Sequence, residues 1–221
     1  MKEINVVKRD GTKEPFDANK INTAILKACE GLPDQISKVV QVATELQLTL
    51  FDGITTEQLD EAVIQTVLQN VKDDPDYDKI AARLLLKTVY KQILGDYETA
   101  EELKKLHARE FPKFVKAAVK EGLLDKRMAD GRFDLKKLAA ELDPARDDLS
   151  KYLGVVTNKN RYALRKQNGS PIETPQFTHM RIAMGLSYNE ADPTTAAHEF
   201  YNHMSNLEYV PGGSTRGNAG G

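Results

Sequence analysis

Behind a short opening that reads as strand, apolar residues recur at helical spacing. Ile21, Ala24, Ile25 and Ala28 stop at Gly31, which predicts a first helix over about 18–30. Ile36, Val39, Val40, Ala43, Leu46 and Leu50 predict a second, ending before Asp52-Gly53. Thr55 and Gln58 have capping-box spacing, each side chain serving the other's free backbone N–H. A third helix therefore opens there, with Leu59, Ala62, Val63, Thr66 and Val67 inward. After an acidic turn around Pro75, a fourth runs from about Tyr77 to Leu94, with Ile80, Ala81, Leu84, Leu85, Thr88 and Val89 inward. Upstream of all four, extended runs flank Asp10-Gly11, a hairpin signal because glycine accepts the positive φ of such turns. Residues 1–95 thus predict a small domain, a hairpin lid on four helices, long enough for a modest core.

From Tyr97 to Lys151 the pattern stays helical and becomes more charged, with no catalytic constellation. Glu98 to His107 predicts a connecting helix, on which His107 reads as a solvated residue. Phe111-Pro112 and Met128 to Phe133 read as loops. Phe114, Val115, Ala118 and Val119 continue an apolar stripe from Phe111, Asp134 caps a further helix, and Asp143-Pro144 opens another. Tyr162 to Arg165 and Pro171 to Glu173, around Asn168-Gly169, read as a second hairpin. Thr174 as N-cap and Pro175 at the first helical position then start a helix. Phe177, Met180, Ile182, Ala183, Met184 and Leu186 make it apolar nearly all round, so it should be buried. Asp192-Pro193 opens a last helix through about Asn206. Gly212 to Gly217 reads either as a glycine-rich turn whose N–H groups face an anion or as a frayed terminus.

Composition narrows the function classes. At 40% hydrophobic and 29% charged, the 221 residues fit a globular protein of one or two domains. A net charge of −2 supplies no global field to recruit nucleic acid or an anionic membrane. There is no apolar run of membrane-spanning length and no signal-peptide core, so the expected location is cytoplasmic. One cysteine, Cys29, excludes an internal disulfide and any CxxC zinc site, and its place by the first helix's apolar stripe reads as a buried thiol. His198 and His203 are five apart, off one helical face, and with His179 give no metal motif.

Charge near the first hairpin is more suggestive. Asp17 can N-cap the first helix, and Lys20 falls in its first turn, where a cation opposes the helix dipole. Lys8, on the strand before the turn, can point at the same spot. Two lysines beside free helix N–H groups suit a phosphate, although a solvated hairpin with ordinary surface lysines fits the same spacing.

The order of these pieces resembles the ATP-cone, the regulatory nucleotide-binding domain at the N-terminus of many ribonucleotide reductase large subunits. The resemblance rests on Val7-Lys8-Arg9-Asp10-Gly11, Glu14, Phe16-Asp17, Lys20-Ile21, Ile54-Thr55-Thr56, Asp76-Tyr77, Ala81-Ala82-Arg83-Leu84 and Lys91. It implies that Val6, Lys8, Glu14, Asp17, Lys20, Ile21, Thr56 and Lys91 contact the nucleotide. Lysines would neutralise phosphates, and acidic and hydroxyl groups would meet sugar and base. Asp60 departs from the histidine that some members carry there. Glu173-Thr174-Pro175-Gln176, Met180 to Gly185, Phe200 to Ser205, Pro211 and Asn218-Ala219-Gly220 likewise resemble the entry to the reductase's catalytic barrel. There Thr215 falls where a threonine contacts substrate, although its flanking residues depart from the usual proline.

The implied fold is mainly α with small β-hairpins. Residues 1–95 form a four-helix ATP-cone with a β-hairpin lid, and residues 96–221 the helical N-terminal part of a ten-stranded α/β barrel reductase domain. The implied function is the activity switch of a ribonucleoside-diphosphate reductase. ATP and dATP, with magnesium, act as effectors, and the radical comes from a small partner subunit or from adenosylcobalamin. Implied partners are the rest of the large subunit, that small subunit, and further copies in a dATP-regulated homo-oligomer, with no nucleic acid or membrane. Catalytic cysteines would lie beyond Gly221, so the chain is expected to be a truncated or split piece of the large subunit, or a longer product interrupted near Gly221, and inactive alone. A free-standing ATP-cone module is the alternative. It explains residues 1–95 and leaves 173–221 unmotivated.

Overall fold

The computed structural model describes residues 4–8 and 10–221. Arg9, part of the hairpin motif, lies outside them. The protein is mainly α with one small sheet, and it divides into two units, Met1–Thr88 and Val89–Gly221.

In the first unit, β1 (Asn5–Val7) pairs antiparallel with β2 (Lys13–Pro15), placing Val6 opposite Glu14. Gly11 turns the chain at φ +84°, and the Lys8 N–H donates to the Thr12 carbonyl at 2.8 Å. The sheet is more than a hairpin. β3 (Ile54–Thr55) joins the other edge of β1 in parallel, a two-residue strand too short to leave a periodic signal. Val6, Ile54 and Leu59 are buried together, with Phe16, Ile21 and Leu50 packed against them.

The four helices follow as α1 (Ala18–Ala28), α2 (Gln35–Leu46), α3 (Thr56–Gln69) and α4 (Asp76–Leu94). Asp17 caps α1, and the Thr55–Gln58 capping box opens α3 as its spacing predicts. α2 stops four residues before Leu50, and Ile36 and Val40 face solvent rather than the core, at 69% and 59% exposed. The buried stripe runs through Val39, Val42 and Leu46 instead, together with Lys38. Lys38 sits at 2.7 Å from Asp74 and 3.4 Å from Asp76, so its charge is paired where its stem is buried. Arg83 on α4 donates to the carbonyls of Ala28 and Glu30 at 2.9 and 2.6 Å, satisfying the open end of α1. Cys29 is fully buried, and burial pushes its thiol pKa up.

The second unit begins with the last turns of α4, then α5 (Ala100–Lys120). α5 runs unbroken through Pro112, where the sequence reads as a loop. Proline inside a helix removes one hydrogen bond and costs about 3 kcal/mol. Leu103, His107, Phe111, Val115 and Ala118 offset that cost by forming one continuous buried face across it. α6 (Leu135–Ala140) is capped by Asp134, and the Asp143-Pro144 start yields a 3₁₀ segment over Pro144–Leu149 rather than an α-helix. α7 (Tyr152–Thr157) passes into a π turn over Asn158–Tyr162. The expected second hairpin contracts to one antiparallel bridge, Arg165 with Pro171. α8 (Pro175–Leu186), capped by Thr174, and α9 (Pro193–Ser205), capped by Asp192, start at their predicted residues, and α8 is buried through most of its length.

The last residues form α10 (Gly213–Asn218) and are tied down, so neither the flexible turn nor the frayed end is what folds. The Asp125 N–H donates to the Gly220 carbonyl at 2.9 Å, and Arg181 donates to the Ala219 carbonyl at 2.6 Å. Gly185 on α8 permits this approach, since a Cβ there would stand 2.4 Å from the Gly220 nitrogen.

Candidate functional site

The first hairpin and the start of α1 put three of the sequence-derived residues into one cluster. Glu14, on β2, receives Lys8 from across the turn at 2.7 Å and Lys20 from the first turn of α1 at 3.3 Å. The two ammonium groups thus take different oxygens of one carboxylate, Oε2 and Oε1. The Lys8 hydrogen bond holds the Glu14 carboxyl below its usual range, and Glu14 in turn raises Lys8. All three side chains are part-exposed, at 46%, 33% and 65% for Lys8, Glu14 and Lys20. Water screens such pairs, so they exchange partners readily.

The neighbouring acids are held differently. The Asp17 carboxylate accepts the Asn19 N–H at 2.9 Å, which leaves it committed to the cap of α1. Asp10 accepts the Thr12 N–H and hydroxyl at 2.9 and 2.7 Å, closing the turn. Asp52 accepts both the backbone and side-chain N–H of Asn5.

The remaining sequence-derived positions play other parts. Val6 is buried beneath the hairpin, and Ile21 packs against the same core. The Thr56 hydroxyl donates to the Val7 carbonyl at 3.3 Å, fixing the first turn of α3 to β1. Lys91 lies on the stretch of α4 that belongs to the second unit, and pairs with Asp96 at 2.9 Å.

Two lysines escaped the sequence reading. An open depression of about 380 Å³ runs along the exposed side of α1, lined by Asp17, Asn19, Lys20, Thr23, Lys27 and Lys87. Lys20, Thr23 and Lys27 are three and four apart, the spacing that stacks side chains on one helical face. That signal was available. Lys87 comes from α4 and had none.

The second unit holds its polar groups inside. His107, expected in solvent, is fully buried. Its Nδ1 lies 2.9 Å from the Leu103 carbonyl and its Nε2 3.1 Å from the Thr174 hydroxyl, between the rings of Tyr90 and Phe177. Burial lowers its pKa to about 4, so it is neutral at pH 7. Asp147 is 3% exposed and accepts from Tyr90 Oη and, at 2.6 Å, from Gln176 Nε2. Burial pushes its pKa up to about 7 against the pull of those two donors. Arg181 and Glu173, both buried, pair at 2.7 Å. Thr215 is half-buried in α10, beside Arg216, whose guanidinium lies 3.9 Å from the centre of the Tyr162 ring. His179 on α8 has no partner for Nδ1 among the described residues, and burial, then Arg216 and Arg181, lower its pKa to about 4. No group of three or more metal-binding side chains occurs among the described residues, and none of their helices is long and apolar enough to cross a membrane.

Known proteins match both units. The ATP cone domain family matches residues 4–92, and the all-alpha domain of ribonucleotide reductase matches residues 148–221. The ribonucleoside-diphosphate reductase subunit alpha of Helicobacter pylori (strain 26695) is 34% identical over 217 residues, covering 98% of this chain and 26% of that protein. The subunit alpha of Chlamydia trachomatis is 32% identical over 220 residues, 98% of this chain and 20% of that protein. The large subunit of Arabidopsis thaliana is 29% identical over 221 residues. The chain spans a fifth to about a quarter of the length of these relatives. It belongs to the ribonucleotide reductase large-subunit family and corresponds to that subunit's N-terminal part, an ATP-cone followed by the all-alpha region.

Proposed function

We propose that this chain is the regulatory N-terminal portion of a ribonucleoside-diphosphate reductase large subunit, and that residues 1–95 bind ATP and dATP as its activity switch. The observation that carries the reading is the convergence of Lys8 and Lys20 on one spot at the N-terminus of α1. That spot combines two cations with the positive end of the α1 dipole, which suits a polyphosphate. Glu14 meets both lysines there, Asp17 caps the same helix end, Thr56 ties α3 to the Val7 carbonyl, and Val6 and Ile21 support the hairpin from the core. Lys91 enters the proposal on the resemblance alone. Magnesium would arrive on the triphosphate.

Residues 96–221 are the beginning of the catalytic domain, and Thr215 is the residue that meets substrate there. The only cysteine is buried in the first unit, so reduction is assigned to the whole subunit with its radical-generating partner. The match over residues 148–221 argues against a free-standing ATP-cone module. A switch needs two nucleotides that favour different states, here different subunit assemblies.

Calorimetric titration of the chain with ATP, dATP and GTP, paired with light scattering, tests the reading. Adenine-selective binding is expected, with a change in mass under dATP if the assembly contacts lie in these residues. A folded chain that takes none of the three refutes it.

A further inference from the structure

The ATP cone match and the fold divide the chain at different places. The match extends to residue 92, while the second compact unit begins at Val89. Residues 89–92, near the end of α4, are therefore cone by sequence and part of the second unit by packing. The Tyr90 hydroxyl donates to Asp147 on the 3₁₀ segment, and Asp147 accepts from Gln176 Nε2 of α8 at 2.6 Å. Gln176 Oε1 accepts from the Tyr201 hydroxyl of α9, which in turn accepts the Asp143 N–H at 2.9 Å. Tyr90, Asp147, Gln176 and Tyr201 are all buried, and the polar end of each has a partner. A buried polar network that is satisfied throughout is stiff.

The same helix is gripped in the first unit. Arg83 of α4 holds the carbonyls of Ala28 and Glu30, at the opposite end of α1 from Lys20. Tyr90 lies seven residues beyond Arg83, two turns along, so both side chains leave α4 on one face. A connection thus runs from the start of α1 along that helix to Arg83, then along α4 to Tyr90, and through Asp147 and Gln176 to α8 and α9. Coupling between distant sites is carried by such chains of rigid elements and hydrogen bonds. The Tyr90 link is directional. A hydrogen bond weakens steeply as it misaligns, so a shift of α4 either breaks this one or carries Asp147 with it.

We infer that the bond from Tyr90 to Asp147 is the coupling contact that hands nucleotide occupancy in the first unit to α8 and α9. This rests on the nucleotide-binding reading of residues 1–95 and adds to it the point where the effect of binding leaves the cone. Tyr90 is a positioning residue, acting on α8 through Asp147 and Gln176.

The test is hydrogen exchange of the chain with and without dATP, read by mass spectrometry over residues 175–186 and 193–205, beside calorimetric titration. Tyr90→Phe removes the hydroxyl and keeps the ring, with its edge contacts to Tyr97 and His107. In the unaltered chain dATP should change exchange in both segments. In Tyr90→Phe that change should shrink about threefold or more, while dATP affinity and the change within the first unit stay within about twofold. Asp147→Asn leaves the Tyr90 hydroxyl a partner and should keep the change, and its loss there as well overturns the inference. Arg83→Met cuts the connection one link earlier and should also lose the change, so it carries the test if Tyr90→Phe does not fold. If dATP binds the unaltered chain without touching exchange in α8 and α9, the inference is overturned and the nucleotide reading stands. The same holds if Tyr90→Phe lowers protection without ligand yet keeps the full dATP-dependent change, since Tyr90 is then structural. A folded chain that binds neither ATP nor dATP overturns the nucleotide reading, and the coupling contact with it.

Discussion

The two units use charge in opposite ways. In the first, Lys8, Glu14 and Lys20 meet at the surface, where water does much of the work and partners exchange. In the second, Arg181 and Glu173 meet with almost no exposure, and three backbone carbonyls, those of Tyr162, Arg216 and Ala219, take the rest of the guanidinium. An exposed cluster gives up its partners to a ligand at small cost. A buried one cannot, because each ion it strands is left without water. The first arrangement therefore suits an exchange of partners, and the second holds α8 to α10, the helix that carries Thr215.

The strongest way to break that contrast is at Arg181. Arg181→Met strands Glu173 in the core and removes the donors of the Tyr162 and Ala219 carbonyls. Loss of one partner of a buried pair costs about 3–5 kcal/mol. Denaturant unfolding followed by circular dichroism should show that loss in the transition of the second unit. Arg181→Met combined with Glu173→Leu should recover part of it, since no charge is then stranded. If the double variant is no better than the single one, the carbonyl contacts and not the ion pair hold the segment.

Asp147 sharpens the contrast, because among the described residues it is buried with neutral partners, Tyr90 and Gln176, and no cation. Its folded pKa of about 7 lies above the ordinary carboxylate value, so between about pH 4 and 7 the folded state holds a proton that the unfolded chain has lost. Its contribution is fully present below about pH 4 and falls as the pH rises to about 7. His107 acts with the opposite sign. Its folded pKa of about 4 means that stability is lost as the pH falls from about 6.5 to 4. The two slopes oppose each other over the same window. Asp147→Asn keeps the hydrogen-bonding shape of the protonated acid and removes the first slope. It should gain up to about 4 kcal/mol over the unaltered chain at pH 8, three units at 1.36 kcal/mol each taken as a ceiling. Its stability should then rise with pH from 4 to 6.5. If Asp147→Asn gains nothing over the unaltered chain at pH 8, Asp147 is ionised in the fold.

How much of this was legible follows the same division. Local chemistry read well. The Thr55–Gln58 box and the caps at Asp17, Asp134, Thr174 and Asp192 are all where the sequence puts them, because a cap is decided within four residues. Tertiary decisions did not. Pro112 reads as a break because the buried face that carries α5 across it is supplied by distant partners such as Phe177. His107 reads as solvated because its neighbours in sequence are charged, while its neighbours in space are Tyr90, Thr174 and Phe177. Ile36 and Val40 fall into the helical repeat of α2 and still face solvent. At the candidate site, the lysines and the helix start were visible as a pattern. That Glu14 would hold both lysines was not, since strand register decides which side chains stand opposite each other.

The smallest structural effect, and the largest functional one, belongs to the surface lysines. Lys8→Ala and Lys20→Ala each remove one arm of the Glu14 cluster, in a setting where a single part-exposed pair adds little to stability. The thermal midpoint without ligand should move by about a degree or less. ATP binding should weaken about tenfold, because the phosphate loses a cation beside the α1 N-terminus that water replaces poorly. Raising the salt should shrink the difference, since the lost attraction is between solvent-facing charges. Those two readouts together decide the matter. If either alanine unfolds the first unit, the lysine is part of the architecture, the cluster behaves as Arg181 does, and the contrast between the two units disappears along with the phosphate assignment.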